Sequence, residues 1–320
     1  LDYTAYNTPV RVFLGLGAAT GTSGISNIAN VVGGSASDII VGDAQDNELT
    51  GNGGRDILIG AAGSDVIDGG AGDDSLVAGT GNDVILGGIG NDFLFGMDAD
   101  TTWRITAHNA GRVGAAAFNT IESLVGGTGD DEFIFSAGQS MSGTIDGGDG
   151  VNTLNYTAYT TPVRVYLGLG AATGTSGISN ITNVIGGAAS DILVGDAQDN
   201  ELTGNGGRDI LIGAAGTDVI DGGAGDDLVF GGSTAFDLDA TALESLRSEW
   251  TRFLSYNNRI NHLTGATPGG LNGTNFLTVA TVTNDGKPDS VTGGIGQDWF
   301  LAFSDDELID PTPTETVTLF

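Results

Sequence analysis

The sequence predicts an all-β fold, a right-handed parallel β-solenoid closed by a small C-terminal α+β cap, and three observations carry that prediction. From Gly33 to Phe95 the chain repeats every nine residues without a slip. Residues 1–80 return, with few changes, as residues 154–233. After Gly232 the repeat gives way to apolar residues at helical spacing.

Written in nines, the first block is GGSASDIIV, GDAQDNELT, GNGGRDILI, GAAGSDVID, GGAGDDSLV, AGTGNDVIL and GGIGNDFLF. The sixth place always holds a side-chain oxygen: Asp38, Asn47, Asp56, Asp65, Asp74, Asp83, Asp92. The eighth is always aliphatic: Ile40, Leu49, Leu58, Ile67, Leu76, Ile85, Leu94. A Gly-rich hexad ending in Asp is a turn, because glycine reaches positive φ freely and Asp bonds to its own backbone. The three residues that follow have strand propensity, with the middle side chain pointing inward. Two units then make one coil of eighteen residues, and residues eighteen apart stack at the strand spacing, roughly 4.8 Å. Asp38, Asp56, Asp74 and Asp92 line one edge of this stack; Asn47, Asp65 and Asp83 line the other.

One inward aliphatic per unit makes a thin core, set against the entropy of ordering nine residues rich in glycine. Stacked carboxylates about 5 Å apart also repel by about 3 kcal/mol at an effective dielectric near 20. A hard divalent cation between successive coils reverses that sign, and oxygen-only ligands select Ca²⁺ over Zn²⁺ or copper.

The pattern GGxGxDx-aliphatic-x resembles the nonapeptide of the RTX (hemolysin-type) calcium-binding proteins, whose fold is the parallel β-roll. The resemblance covers a little under half of the chain. It implies Ca²⁺ bound by the sixth-position residues and the turn carbonyls. Carried over unit by unit, the expected ligands are those of the first block, then Asp131 in GGTGDDEFI and Asn152 in GGDGVNTLN. Asp191, Asn200, Asp209, Asp218 and Asp227 follow in the second block, and Asp298 in GGIGQDWFL. Asparagine keeps the oxygen but loses the charge, so Asn47 departs from the pattern and marks a weaker site.

Composition narrows the partners. Ten basic residues against forty-one acidic ones give a formal charge of −31, which argues against nucleic acid or an anionic membrane. There is no cysteine, hence no disulfide, and no apolar run long enough to span a membrane. No N-terminal signal pattern is visible, so an export address is expected elsewhere or at the C-terminus.

Taken in order, the chain divides into a β-solenoid lead-in (1–32), a first roll block (33–97), and a degenerate lead-in with short units (98–155). A repeated lead-in (156–185), a second roll block (186–232) and the cap (233–320) complete it. WRITAHNAGRVGAAAFNTIESLVGG (103–127) aligns without gaps to 163–187 and is a third, worn lead-in. Leu1 aligns with Leu154, inside a nonapeptide, so the chain is expected to begin within a repeat. Strands are expected at Val10–Leu16 and Val163–Leu169, in coils continuous with the rolls. In the cap, Thr241-Ala-Leu-Glu244 has the form of a capping box. Leu243, Leu246, Trp250 and Phe253 then predict one amphipathic helix over about 242–257. LNGTNFLTVATVTNDGKPD is expected to form two strands around a turn at Asn284-Asp285-Gly286, and the tail to be extended.

The outward strand positions are unequal. On the Asp38 edge they include Ile39, Ile57, Ile59 and Phe93, with Ile192, Ile210, Ile212 and Phe230 in the second block. The opposite sheet carries Glu48, Thr50, Asp68, Glu201, Thr203 and Asp221 among its outward residues. An apolar sheet of this kind is expected to be covered, by solenoid, by the C-terminal helix or by a neighbouring molecule. Self-association through Ile39, Ile57, Phe93, Ile192, Ile210 and Phe230 is one such cover.

No enzyme chemistry is legible. His108 and His262 stand in unrelated contexts, so HExxH is impossible, and no G-x-S-x-G elbow occurs. Lys287, the only lysine, is not in a phosphate loop, and the acidic residues already have a periodic role. The expectation is a non-enzymatic, secreted calcium-binding protein with a structural or adhesive role, free or at a bacterial cell surface. The RTX resemblance implies partnership with the type I secretion machinery, and the closing acidic-then-apolar tail resembles its signals. The alternative is the folding and secretion module of a larger secreted hydrolase or toxin; the duplicated lead-ins favour the first reading.

Overall fold

The nine-residue period becomes a stack of short parallel strands two units apart. The computed structural model describes residues 1–320, and the chain falls into two units. The first takes in Leu1–Ile134, Gln139–Asn152 and Gly174–Asn180; the second takes in Phe135–Gly138, Thr153–Thr173 and Ile181–Phe320.

In the first unit, Ile39–Val41, Ile57–Ile59, Ser75–Val77 and Phe93–Phe95 pair in parallel, each residue facing the one eighteen positions on. Glu48–Gly53, Val66–Ala71 and Val84–Ile89 build the opposite sheet in the same register. Ile40, Leu58, Leu76 and Leu94 meet Leu49, Ile67 and Ile85 between the sheets, all fully buried. The lead-in extends both sheets: Arg11–Phe13 pairs with Ile39–Val41, and Asn30–Val32 with the start of Glu48–Gly53. Its strand is shorter than expected, because Leu14–Leu16 turns into a 3₁₀ helix that Gly17 closes at φ 65°. The worn lead-in departs further. Thr102–Ala107, Ala110–Val113 and Ala116–Asn119 form an antiparallel meander, held by Trp103 against Phe118 and Phe133.

The second unit repeats the roll with Ile192–Val194, Ile210–Ile212 and Leu228–Phe230 on one sheet. Asn183–Ile185, Glu201–Thr203 and Val219–Asp221 form the other. The cap is not appended to this roll but inserted in it. Trp299–Ala302 adds in parallel to Leu228–Phe230, and Ser290–Thr292 to Val219–Asp221. The backbone N–H groups of Asp218 and Asp227 therefore bond to residues 71 positions on, where other coils step by 18. Asn284-Asp285-Gly286 is a turn, but the expected hairpin around it is corrected: Val282–Thr283 pairs with Ser233–Thr234.

The inserted segment holds two helices instead of one, α1 (Ala240–Trp250) and α2 (Tyr256–Leu263). The N-cap of α1 is Asp239, whose carboxylate accepts from the N–H groups of Thr241 and Ala242. Glu244, read from sequence as half of a capping box, pairs instead with Arg164 and Arg247. The helix ends at Thr251, whose hydroxyl bonds back to the Arg247 carbonyl, and Ser255 in extended conformation starts α2. Asn257 and Asn258 thus lie inside a helix instead of ending one. Leu243, Leu246 and Trp250 cover Ile192, Ile210, Ile212 and Phe230, all buried. Those residues are closed by their own chain, which removes Ile192, Ile210 and Phe230 from any surface for self-association. Arg259, 1% exposed, stacks 4.5 Å from the Trp250 ring and pairs with Asp226. The tail strand Thr316–Leu319 completes the sheet beside Trp299–Ala302.

Truncating a buried leucine in a packed core costs about 2–5 kcal/mol. Leu246→Ala is accordingly expected to lower the urea midpoint of the calcium-loaded protein, and Ile57→Ala, at a half-open position, to lower it far less. Equal losses from the two variants would contradict this division of the core.

Candidate metal centre

Each turn delivers its sixth-position aspartate to the start of the next strand, where the side chain is sealed from solvent. One carboxylate oxygen is used by the fold. Asp56 Oδ1 accepts the Asp38 N–H at 2.7 Å, Asp74 Oδ1 that of Asp56 at 2.8 Å, and Asp92 Oδ1 that of Asp74 at 2.8 Å. On the other edge Asp65 accepts from Asn47 and Asp83 from Asp65, at 2.8 and 2.9 Å. In the second roll the same bond runs from Asp191 to Asp209, from Asp209 to Asp227 and from Asn200 to Asp218.

The second oxygen has no partner. Oδ2 of Asp56, Asp65, Asp74, Asp83, Asp92, Asp131, Asp209, Asp218, Asp227 and Asp298 is buried with no hydrogen bond. An unsatisfied buried carboxylate oxygen is costly, and its repetition coil after coil marks a place for a counter-charge. The first glycine of each unit shapes that place. A Cβ at Gly51 would collide with Asp56 Oδ2 and the Gly69 carbonyl oxygen, and at Gly204 with Asp209 Oδ2 and the Gly222 carbonyl oxygen. Carboxylate and main-chain oxygens thus share a space that the glycine leaves open at these units, while Ala78 heads the unit of Asp83. No three acidic or histidine side chains converge anywhere, so a bound ion would draw on single carboxylates and carbonyls. An all-oxygen set of this kind fits Ca²⁺.

Burial pushes these carboxyls up. Asp209 reaches about 10, with the Asp227 charge adding to desolvation, and Asp227 reaches about 8. Asp56 and Asp218 rise to about 7, and Asp92, Asp131 and Asp298 to about 6, from burial first and neighbouring acids after it.

Five of the residues picked from sequence sit differently. Both oxygens of Asp38 accept N–H groups, from Val10 and Gly34, and both of Asp191 do so from Val163 and Gly187. Asn47 and Asn200 accept from Asp43 and Asp196, and Asn152 accepts from Asp131 while donating to Asn180. None of the five has an unpartnered atom, and through Asp38, Asn47, Asp191 and Asn200 protein hydrogen bonds close the first coil of each roll. Conversely, sequence reasoning missed Asp289, buried, with Oδ2 unpartnered and Oδ1 accepting from Asp218. Counting nine back from Asp298 would have found it, with Val291 at the eighth place; Lys287 and Pro288 hid the unit. Glu122 takes over the next position after Asp92, accepting its N–H at 2.9 Å. The two histidines are held structurally, His108 by Ser140 and His262 by Glu249.

The family model of the RTX calcium-binding nonapeptide repeat matches the chain in four copies, at residues 32–67, 68–100, 185–220 and 203–234. No curated protein matches the chain.

A carboxyl whose pKa is higher folded than unfolded contributes stability in acid and loses it as pH rises through the folded value. With chelator present, the protein is therefore expected to gain β structure as pH falls from about 8 through about 6, the folded values of Asp227 and Asp298. Far-UV circular dichroism reads this directly; a chelated protein that unfolds on acidification across that window would contradict it. In the same assay Asp209→Asn is expected to raise the calcium midpoint markedly, and Asp191→Asn, which costs one backbone hydrogen bond but no unpartnered oxygen, to raise it less. Equal shifts would mean that the unpartnered oxygen is not what calcium answers to.

Proposed function

Because the chain carries RTX calcium-binding nonapeptide repeats in two stretches, 32–100 and 185–234, we propose a non-enzymatic extracellular protein that folds on calcium and serves a structural or adhesive role. Such repeats bind Ca²⁺, and their rolls are parallel β-rolls. The observation that carries the proposal is the row of buried Oδ2 atoms without partners, one per turn from the second coil of each roll onward.

Linkage does the rest. A ligand that binds the folded chain but not the unfolded one stabilises it in proportion to the logarithm of its concentration. Where calcium is scarce, as in a bacterial cytosol, stacked carboxylates and a charge of −31 keep the chain open and fit for passage through a type I exporter. Where calcium is abundant, the buried aspartates ionise against the metal and the coils close. Within that reading Asp56, Asp65, Asp74, Asp83, Asp92, Asp131, Asp209, Asp218, Asp227, Asp289 and Asp298 supply the carboxylate oxygens. Ile40, Leu49 and their counterparts supply the thin core. No helix is long and apolar enough to cross a membrane. An acidic chain of stacked coils with repeated lead-ins is suited to spacing or display.

Calcium added to chelator-treated protein is expected to raise the β signal cooperatively. Magnesium at the same concentration is expected to fail, since it demands a stricter octahedral shell and dehydrates reluctantly. A chain that folds equally in magnesium, or in chelator at neutral pH, would overturn the reading.

A further inference from the structure

Two near-duplicate rolls treat the same face in opposite ways. On the second roll α1 lies across it: Leu243, Leu246 and Trp250 seal Ile192 and Ile210 to 1% exposure or less. Glu244 on the same helix pairs with Arg164, Nε to Oε2 at 2.8 Å. On the first roll the matching positions stand open. Ile57, equivalent to Ile210, is 41% exposed, and Phe93, which occupies the sheet position of Trp299, is 37% exposed. Arg11, equivalent to Arg164, is exposed, and its guanidinium has neither a hydrogen bond nor an ion pair. The insertion that supplies α1 has no counterpart here, since Asp74 bonds to Asp92 in the ordinary step of 18.

We propose that the open face of the first roll is a docking site for an amphipathic helix of another polypeptide. That helix would have the chemistry of α1: two leucines and an aromatic residue on one ridge, with an acid beside the first leucine. The chain itself is the template, because Ile192, Val194, Ile210 and Ile212, the counterparts of Ile39, Val41, Ile57 and Ile59, already accept such a helix. Where the second roll has Leu228, the first has Ser75, and the smaller side chain leaves a groove lined by Arg55, Ile57, Asp73, Ser75 and Phe93. That groove sits beside Phe93, where the partner's aromatic residue arrives if it lies as Trp250 does against Trp299, with centroids 6.1 Å apart. Arg11 receives the acid as Arg164 receives Glu244. Charge decides against a second copy laid face to face, since two chains of −31 repel. The proposal needs the calcium-folded roll, but not the extracellular role.

The probe is a fluorescent, hydrocarbon-stapled peptide of residues 239–252, since so short a helix is marginal alone. It is titrated with the full chain in saturating calcium, after circular dichroism has confirmed folding of each variant. Saturable binding is expected, weakened about tenfold or more by Ile57→Asp, a half-open position that the fold tolerates. Arg11→Glu is expected to weaken the peptide, and Glu244→Arg in the peptide to restore binding to that variant. Three results overturn the proposal: no saturable binding to the folded chain, binding indifferent to Ile57→Asp (the peptide then exchanging into the second roll), or light scattering that shows chain pairing abolished by Ile57→Asp and untouched by peptide. A chain that fails to fold in calcium speaks against the proposed function instead, and is recognised by its dichroism before any peptide is added.

Discussion

The structure depends on a division of labour within each aspartate of the ladder. Oδ1 takes the N–H of the residue one coil earlier and so sets the eighteen-residue register. Oδ2 is left buried without a partner. The first bond makes the stack regular; the second atom makes it costly without a cation. A fold with one buried aliphatic per nine residues has little hydrophobic free energy to set against that cost, so metal and register are two consequences of one side chain. The glycine that heads most units belongs to the same arrangement, since a Cβ there would crowd Oδ2, although Ala78 heads the unit of Asp83.

The two rolls meet this constraint with different resources. The second carries α1 and α2 as an insertion in one coil, and with them a core that includes Trp250, Trp299 and Leu263. Its carboxylates are also the more deeply desolvated, Asp209 and Asp227 being pushed furthest up. The first roll has no such cover and ends in a meander around Trp103. Near-identical nonapeptides therefore stand in unlike surroundings, and the helices seal one apolar face while leaving its duplicate open.

What the sequence made legible was whatever repeats. The period placed the inward aliphatics, the two edges of aspartates and the unequal outer faces, because spacing alone dictates which side chain points where. What it hid was non-local. Asp38 and Asp191 look like every other sixth residue, yet the lead-in strands supply Val10 and Val163 to satisfy them. Asp289 is a full member of the ladder disguised by Lys287 and Pro288. The helix from 242 ran on in the apolar pattern through Phe253, but Phe253 is fully exposed and the chain breaks at Ser255. That the cap is an insertion, not an appendix, could be seen only from strand pairing across 71 residues.

Diffraction from calcium-soaked crystals, recorded for the anomalous signal of the metal, tests the central claim most directly. The account predicts peaks beside Oδ2 of Asp56, Asp65, Asp74, Asp209, Asp218, Asp227 and Asp289, and none beside Asp38 or Asp191. Ordered coils with water or nothing at those oxygens, in a protein that stays folded in chelator at neutral pH, would contradict it.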